Sequence, residues 1–300
     1  MPLSIRILFF GIIGFAAGLL IWPFSELAIF YQAAFPSLLL FSAVTGIGAG
    51  ILMGGFFGGG EGIVSRAFNK IIPGIIMGMI IGAAGGLIGF VIGQALLLPL
   101  GTFFFNSEGA FKNFGIPLAK GLGWGAFGLF IGSVEGVRSK SLNKLLIGIA
   151  GGFTGGLFGG LVFELLRNAS PNNPVYRLIG LIILGMAIGA CYGLFENKMS
   201  KASLYVLNGR LKGKEFLLNA KKTSIGASPK TEIALEGYKQ ISKNHATIEK
   251  SKSNYVFTVA DKLGSAAMAT CINDGRTIKK TLADGDVIRV GNAQMQFRTR

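Results

Sequence analysis

One histidine stands in the 300-residue chain, His245, inside ISKNHATI at residues 241–248. A histidine serves as a general base, as a metal ligand or as a brace for a loop. Base catalysis needs a nucleophile and an orienting group gathered around the imidazole, and no Ser/His/Asp or Cys/His set can be assembled here with any specificity. The two cysteines, Cys191 in an apolar run and Cys271 near the C-terminus, make no spaced framework, so neither a disulfide fold nor a zinc site is expected. No metal, no cofactor and no enzymatic activity are therefore expected, which leaves His245 a structural or binding role.

A second set of chemical groups repeats along the chain. GFFGGGEGIVSRAFNKIIPG (55–74) aligns with LFIGSVEGVRSKSLNKLLIG (129–148), and GACYGLFENKMSKASL (189–204) keeps part of the same pattern, G-x3-G-x2-E-x3-S followed by Lys or Arg. Glu61, Glu135 and Glu196 are each followed five residues later by a base: Arg66, Lys140 and Lys201. A carboxylate near a helix C-terminus meets the unfavourable end of the dipole, and a basic partner offsets that. The expectation is a cytoplasmic ring in which each acid pairs with a base of its own repeat or of the next. A ring that fixes helix orientation is the simpler reading; a gate or ion site is the alternative.

The elements that carry these groups follow from composition. Hydrophobic residues make up 51% of the chain, charged residues only 14%, glycine occurs 47 times, and the mean hydropathy is +0.57. That balance belongs to a membrane protein. Apolar runs long enough to cross about 30 Å of hydrocarbon fall near 6–30, 37–60, 71–98, 118–134, 145–166 and 176–195. Six spans put both termini on one side. Arg66, Lys70, Arg138, Lys140, Lys144, Lys198 and Lys201 share that side with Arg6, whereas the opposite loops hold only Lys112, Lys120, Arg167 and Arg177. The positive-inside rule then places both termini in the cytoplasm, for a multi-pass protein of the inner (plasma) membrane.

The repeat predicts three tandem hairpins about a pseudo-threefold axis. Gly74, Gly78, Gly82, Gly86 and Gly148, Gly152, Gly156, Gly160 form small-residue stripes at four-residue spacing. Such glycine zippers let apolar helices associate in lipid by close backbone contact. No Asp, Lys or Arg is expected at mid-depth; Gln94 and Thr154 are among the few polar groups, and Glu164 is expected near the outer surface. That lowers the weight of an ion-coupled transporter, which carries ionisable groups at the midplane.

From Ser203 the pattern changes to about ten short alternating stretches separated by turns, which predicts a β-sandwich. The order TSIGAS, ISKNHATI, VADKLGS, TCINDGRTI, LADGDVIRVGN resembles the forkhead-associated (FHA) family of phosphothreonine-peptide readers, over roughly residues 203–300. The resemblance implies that Ser242 hydrogen-bonds the phosphate, that Lys243 touches phosphate or peptide, and that His245 braces the recognition loops. Two positions depart from the family pattern. Its Gly-Arg pair is Gly226-Ala227 here, and its T-N-G-T loop is GSAAMAT at 264–270, without the Asn. Lys230, or Lys221 and Lys222, are the candidates to replace the lost arginine, supplying charge without the bidentate fork.

The expected architecture is an α-helical membrane bundle of six spans in three glycine-zipper hairpins, residues 1–199, followed by an all-β FHA-like sandwich, residues 203–300. The C-terminal hundred residues hold 18 of the 29 basic and 8 of the 14 acidic side chains, a basic excess of ten. Such a surface suits anionic lipid headgroups of the bilayer or a phosphorylated protein. Nucleic acid is not expected, since interleaved aromatics for base stacking are missing. The expected function is a signalling or assembly scaffold that recruits a phosphorylated or unmodified protein partner, with other subunits of a membrane complex as further partners. The alternative is a channel or transporter built from the hairpins and regulated by the tail.

Overall fold

A run of twenty apolar residues satisfies its backbone in lipid only as a helix, and six helices of the computed structural model are long and apolar enough to cross a membrane. The structure describes residues 3–65, 68–103, 109, 111–229, 231–251, 254–260 and 269–299. The spans are α1 (Leu3–Phe30), α2 (Leu38–Ser65), α3 (Phe68–Ala95) continued by the short α4 (Leu97–Phe103), α5 (Ile116–Arg138), α6 (Leu142–Ala169) and α7 (Pro174–Lys198). The chain divides into two units, one of residues 3–63 with 71–196 and one running from Asn197 onward together with Val64–Lys70.

The helical unit is apolar on both its surfaces. Leu8, Ile12, Phe15 and Leu19 of α1 are exposed on a face of i, i+4, i+7 spacing suited to lipid. Phe10, Ile13, Ala17 and Ile21 of the same helix point inward and join Met53, Phe57, Phe127, Ile131, Leu184, Ile188 and Tyr192 in one buried cluster. All of these but Ile21, which lies further along α1, fill the interior over the half of the bundle that holds the start of α1 and the end of α7.

Neighbouring helices touch at glycine. A Cβ on Gly54 would overlap the Gly78 carbonyl oxygen, and one on Gly132 would overlap that of Gly148. The same approach joins Gly46, Gly50 and Gly58 of α2 to Gly86, Gly82 and Gly74 of α3. Gly128 meets Gly152 between α5 and α6, and Gly14 meets Gly185 between α1 and α7. Numbers rise on one helix as they fall on its partner, so each pair is antiparallel. Between an odd span and the next even one, Gly89 meets Gly123 less closely, and most other contacts set glycine against a larger group: Gly48 against Phe24, Gly85 against Phe130, Gly159 against Leu184. The closest backbone contacts therefore lie between an even-numbered span and the next odd one, with the sixth span closing on the first.

The second unit is a sandwich with eleven strands among its described residues: β1 (Ala202–Val206), β2 (Glu215–Leu217), β3 (Lys222–Gly226), β4 (Ile233–Ala234), β5 (Ala246–Ser251), β6 (Asn254–Val259), β7 (Thr270–Ile272), β8 (Gly275–Arg276), β9 (Lys279–Leu282), β10 (Val287–Val290) and β11 (Ala293–Thr299). One sheet runs β2-β1-β11-β10-β7-β8 and the other β4-β3-β5-β6-β9, antiparallel throughout except for β3 with β4. Alternation along β6 and β11 turns Tyr255, Phe257, Val259 and Ala293, Met295, Phe297 inward, where Leu204, Ile225, Ile248 and Ile288 meet them. With the core fixed this way, the loops at the ends of β3, β5 and β7 are held by the sheets.

Candidate functional site

The loop after β3 and the loop before β5 are zipped together along their backbones. Ala227 donates its N–H to the Ser242 carbonyl at 3.0 Å and Ser228 to the Lys243 carbonyl at 3.1 Å, while His245 N–H returns to the Ile225 carbonyl at 2.9 Å. The approach is so close at Gly226 that a Cβ there would overlap the Lys243 carbonyl oxygen, which is the physical reason for glycine at that position. Thr231 closes the first loop, its hydroxyl donating to the Ser228 carbonyl at 2.6 Å.

His245 is fully buried beneath this crossing. Ser242 N–H donates to Nδ1 at 3.1 Å, so Nδ1 carries no proton, and Nε2–H is left to donate to the Thr270 hydroxyl at 2.9 Å. One imidazole thus joins the loop before β5 to the first residue of β7. No nucleophile is activated in this arrangement; the ring spends both nitrogens on loop geometry. Above it Ser242 is partly exposed and Lys243 exposed, a hydroxyl and an ammonium at one rim.

A neighbouring turn is held by charge. Asn273 and Asp274 take positive φ angles of 51° and 64° in a two-residue hairpin between β7 and β8, the geometry of a type I′ turn. The Asn273 amide donates to Asp286 Oδ1 at 2.6 Å and its carbonyl oxygen accepts Val287 N–H at 2.8 Å. Burial works to raise the Asp286 carboxyl, but the Ala283 N–H, the Asn273 amide and the Lys280 ammonium together hold it below the usual carboxylate value.

The structure brings Gly226, Ser242, Lys243 and His245 together. Lys230 and the 261–268 segment, with most of the GSAAMAT loop, lie outside the described residues. Lys221 and Lys222 are corrected: they stand at the opposite end of β3 from Gly226, about 13 Å along a strand, and Lys222 pairs with the exposed Glu249 at 2.9 Å. They are not arginine replacements. Thr231 and Thr270 were not picked out in the sequence, because a threonine that ties loops looks there like any other β-branched residue.

Residues 205–300 match the family model described as "Inner membrane component of T3SS, cytoplasmic domain". Among solved structures, the chain is similar to the FHA domain of the CT664 protein from Chlamydia trachomatis, at 25% identity over 34% of this chain and 99% of that one with a TM-score of 0.29. It is also similar to an FHA domain of an Arabidopsis thaliana hypothetical protein, at 26% identity over 33% of this chain and 86% of that one with a TM-score of 0.28. A third likeness is to the N-terminal FHA domain of S. cerevisiae Rad53p in complex with a phosphothreonine peptide, at 16% identity over 33% of this chain and 94% of that one with a TM-score of 0.29. The C-terminal third is FHA-like. No curated protein matches the chain. The FHA-like fold is thus carried on a chain whose first two thirds hold six long apolar helices, and no family accounts for those helices.

The repeated acids of the helical unit have partners other than the base five residues on. Glu135 pairs with Arg138 at 2.7 Å and with Lys144, at the start of α6, at 3.8 Å. Glu196 is 4% exposed and takes two hydrogen bonds from Arg6, at the start of α1. In both copies the acid that ends an even-numbered span meets a base that opens the next odd span. Lys140 is corrected as an ion-pair partner: it is exposed at a φ of 50°, between Arg138 and the N-cap Ser141, the left-handed position that ends a helix. Lys201 is likewise exposed. The side chain of Glu61, and Arg66, lie outside the described residues.

Proposed function

We propose that the chain is a non-enzymatic recruitment module of the inner membrane, in which the FHA-like domain binds a threonine-phosphorylated protein and the six helices anchor it. The observation that carries this reading is the zipped pair of loops clamped by His245, with Ser242 and Lys243 displayed at their rim. A hydroxyl and an ammonium on a rigid rim can accept a phosphate with little loss of conformational freedom. The match to a T3SS inner membrane component supports an assembly role beside other membrane subunits. The distribution of Lys and Arg supports cytoplasmic termini. The buried side chains that fill one half of the bundle support an anchor rather than a conduit.

The test is titration of the intact protein with threonine peptides in phosphorylated and unmodified forms. Preference for the phosphorylated form, lost in Ser242→Ala, is expected; equal binding of both forms retires the phosphate and leaves a reader of unmodified protein. Ala227→Arg restores the family's charged contact next to Ser242 and is expected to tighten phosphopeptide binding about ten- to a hundredfold.

A further inference from the structure

A cavity of about 570 Å³ opens in the half of the helical unit away from the Arg6–Glu196 pair, and all six spans line it. The volume suits one small ligand. Its walls are apolar and aromatic, with Ile21, Phe24, Phe41, Phe90 and Phe163 among them. Exposed Gln32, Leu38, Asn168 and Pro171 lie at its rim, where the helices end.

The charges sit at the same end, and they do not cancel. Glu164 lies near the outer end of its helix, as its distance from Lys144 implies, and it is turned inward, at 2% exposure. Its Oε1 accepts Trp124 Nε1–H at 3.2 Å, and its Oε2 faces Arg167 Nη2 at 2.5 Å and Lys120 Nζ at 3.8 Å. The 2.5 Å contact is an ion pair that lies off the hydrogen-bonding direction, so Oε2 has no hydrogen-bond donor. One carboxylate therefore serves two cations. The third cation, Arg177, is already used: Glu26 takes two of its donors and the Pro171 carbonyl a third. The Lys120 and Arg167 side chains remain 26% and 33% exposed towards the opening. Ionisable groups within spans are costly and face the interior or a cavity where a partner neutralises them.

We propose that this cavity binds an amphiphile with a single anionic head group. The head, a carboxylate or a phosphate, sits against Lys120 and Arg167 and neutralises the surplus positive charge. The hydrocarbon follows the walls inward past Phe163 and Phe90 towards Ile21. A free fatty acid and an anionic phospholipid share this chemistry.

The intact protein, stripped of lipid in detergent, is titrated with oleate, phosphatidylglycerol, phosphatidylcholine and methyl oleate and read by native mass spectrometry. Oleate or phosphatidylglycerol is expected to bind at one site, and the one that does identifies the source; the zwitterionic and uncharged probes are expected to be at least about tenfold weaker. Lys120→Met leaves the Glu164–Arg167 pair in place and should weaken the anionic probe about tenfold or more. Ser42→Phe fills the cavity without touching any charge and should abolish one-site binding even if Lys120→Met proves unstable. Equal binding of phosphatidylcholine or methyl oleate, or wild-type affinity in Ser42→Phe, overturns the proposal.

Discussion

Arg6 and Glu196, 190 residues apart, form a two-pronged ion pair at 2.7 and 2.5 Å with each residue 4% exposed. Removing one partner of a buried pair leaves the other charged and uncompensated. Glu196→Ala or Arg6→Ala should therefore cost about 3–5 kcal/mol, whereas replacing both by leucine or methionine should cost much less. Thermal unfolding of the four proteins in one detergent measures the difference. Equal losses in the single and double variants would show that the pair does not act as a unit.

His245→Ala removes the acceptor of the Ser242 N–H and the partner of the Thr270 hydroxyl, and opens a void in a fully buried place. A loss of about 2–4 kcal/mol is expected from the unpaired groups and the cavity together. Amide exchange should speed up first at residues 226–228 and 242–245, since the crossing of the two loops rests on this ring. Unchanged exchange there would remove His245 from the role given to it.

Lys140→Gly separates two accounts of one residue. An ion-pair partner would be missed, but a lysine held at a φ of 50° carries a steric cost of about 1–2 kcal/mol that glycine does not. The variant should be as stable as the parent or more so, by up to about 1 kcal/mol after glycine's extra freedom in the unfolded chain. A lower melting temperature would restore the charge to importance.

Asp286 gives the β unit a pH dependence of known sign. Its folded carboxyl titrates below an unfolded value of about 3.9. The stability it contributes is fully present above that value and disappears as pH falls through the folded one. Melting of the FHA-like domain should therefore decline on acidification below about pH 4, and Asp286→Asn, with nothing to titrate, should show a shallower decline. Parallel curves would rule out this carboxylate as the source.

The architecture was legible because its signals are physical necessities. Apolar runs must be helices in lipid, and α1 to α7 lie close to the runs read as spans. The alternation of NYVFTV and AQMQFRT decides which residues of β6 and β11 face the core. His245 could be placed through its resemblance to a family, though the partners that fix its tautomer, Ser242 N–H as donor and the Thr270 hydroxyl as acceptor, meet it only once the loops cross. The pairing of acids was less legible. Spacing along the sequence favoured Lys140 for Glu135, but helix geometry offers Arg138 one turn away and Lys144 across the turn. Arg6, as the partner of Glu196, carries no local mark, because the contact depends on the first and last spans becoming neighbours. Glu164 is a middle case: distance along α6 gives its depth, whereas the side it faces is set by the packing of Trp124 and Lys120 against it.

The closing of the sixth span on the first also sets an order of events during synthesis. Glu196 leaves the ribosome 190 residues after Arg6, when almost the whole helical unit has been made. Until then α1 lacks its contact to Glu196 and keeps a bare face around Gly14. A nascent chain arrested before α7 is consequently a ring with a gap, the form in which membrane quality control would find it.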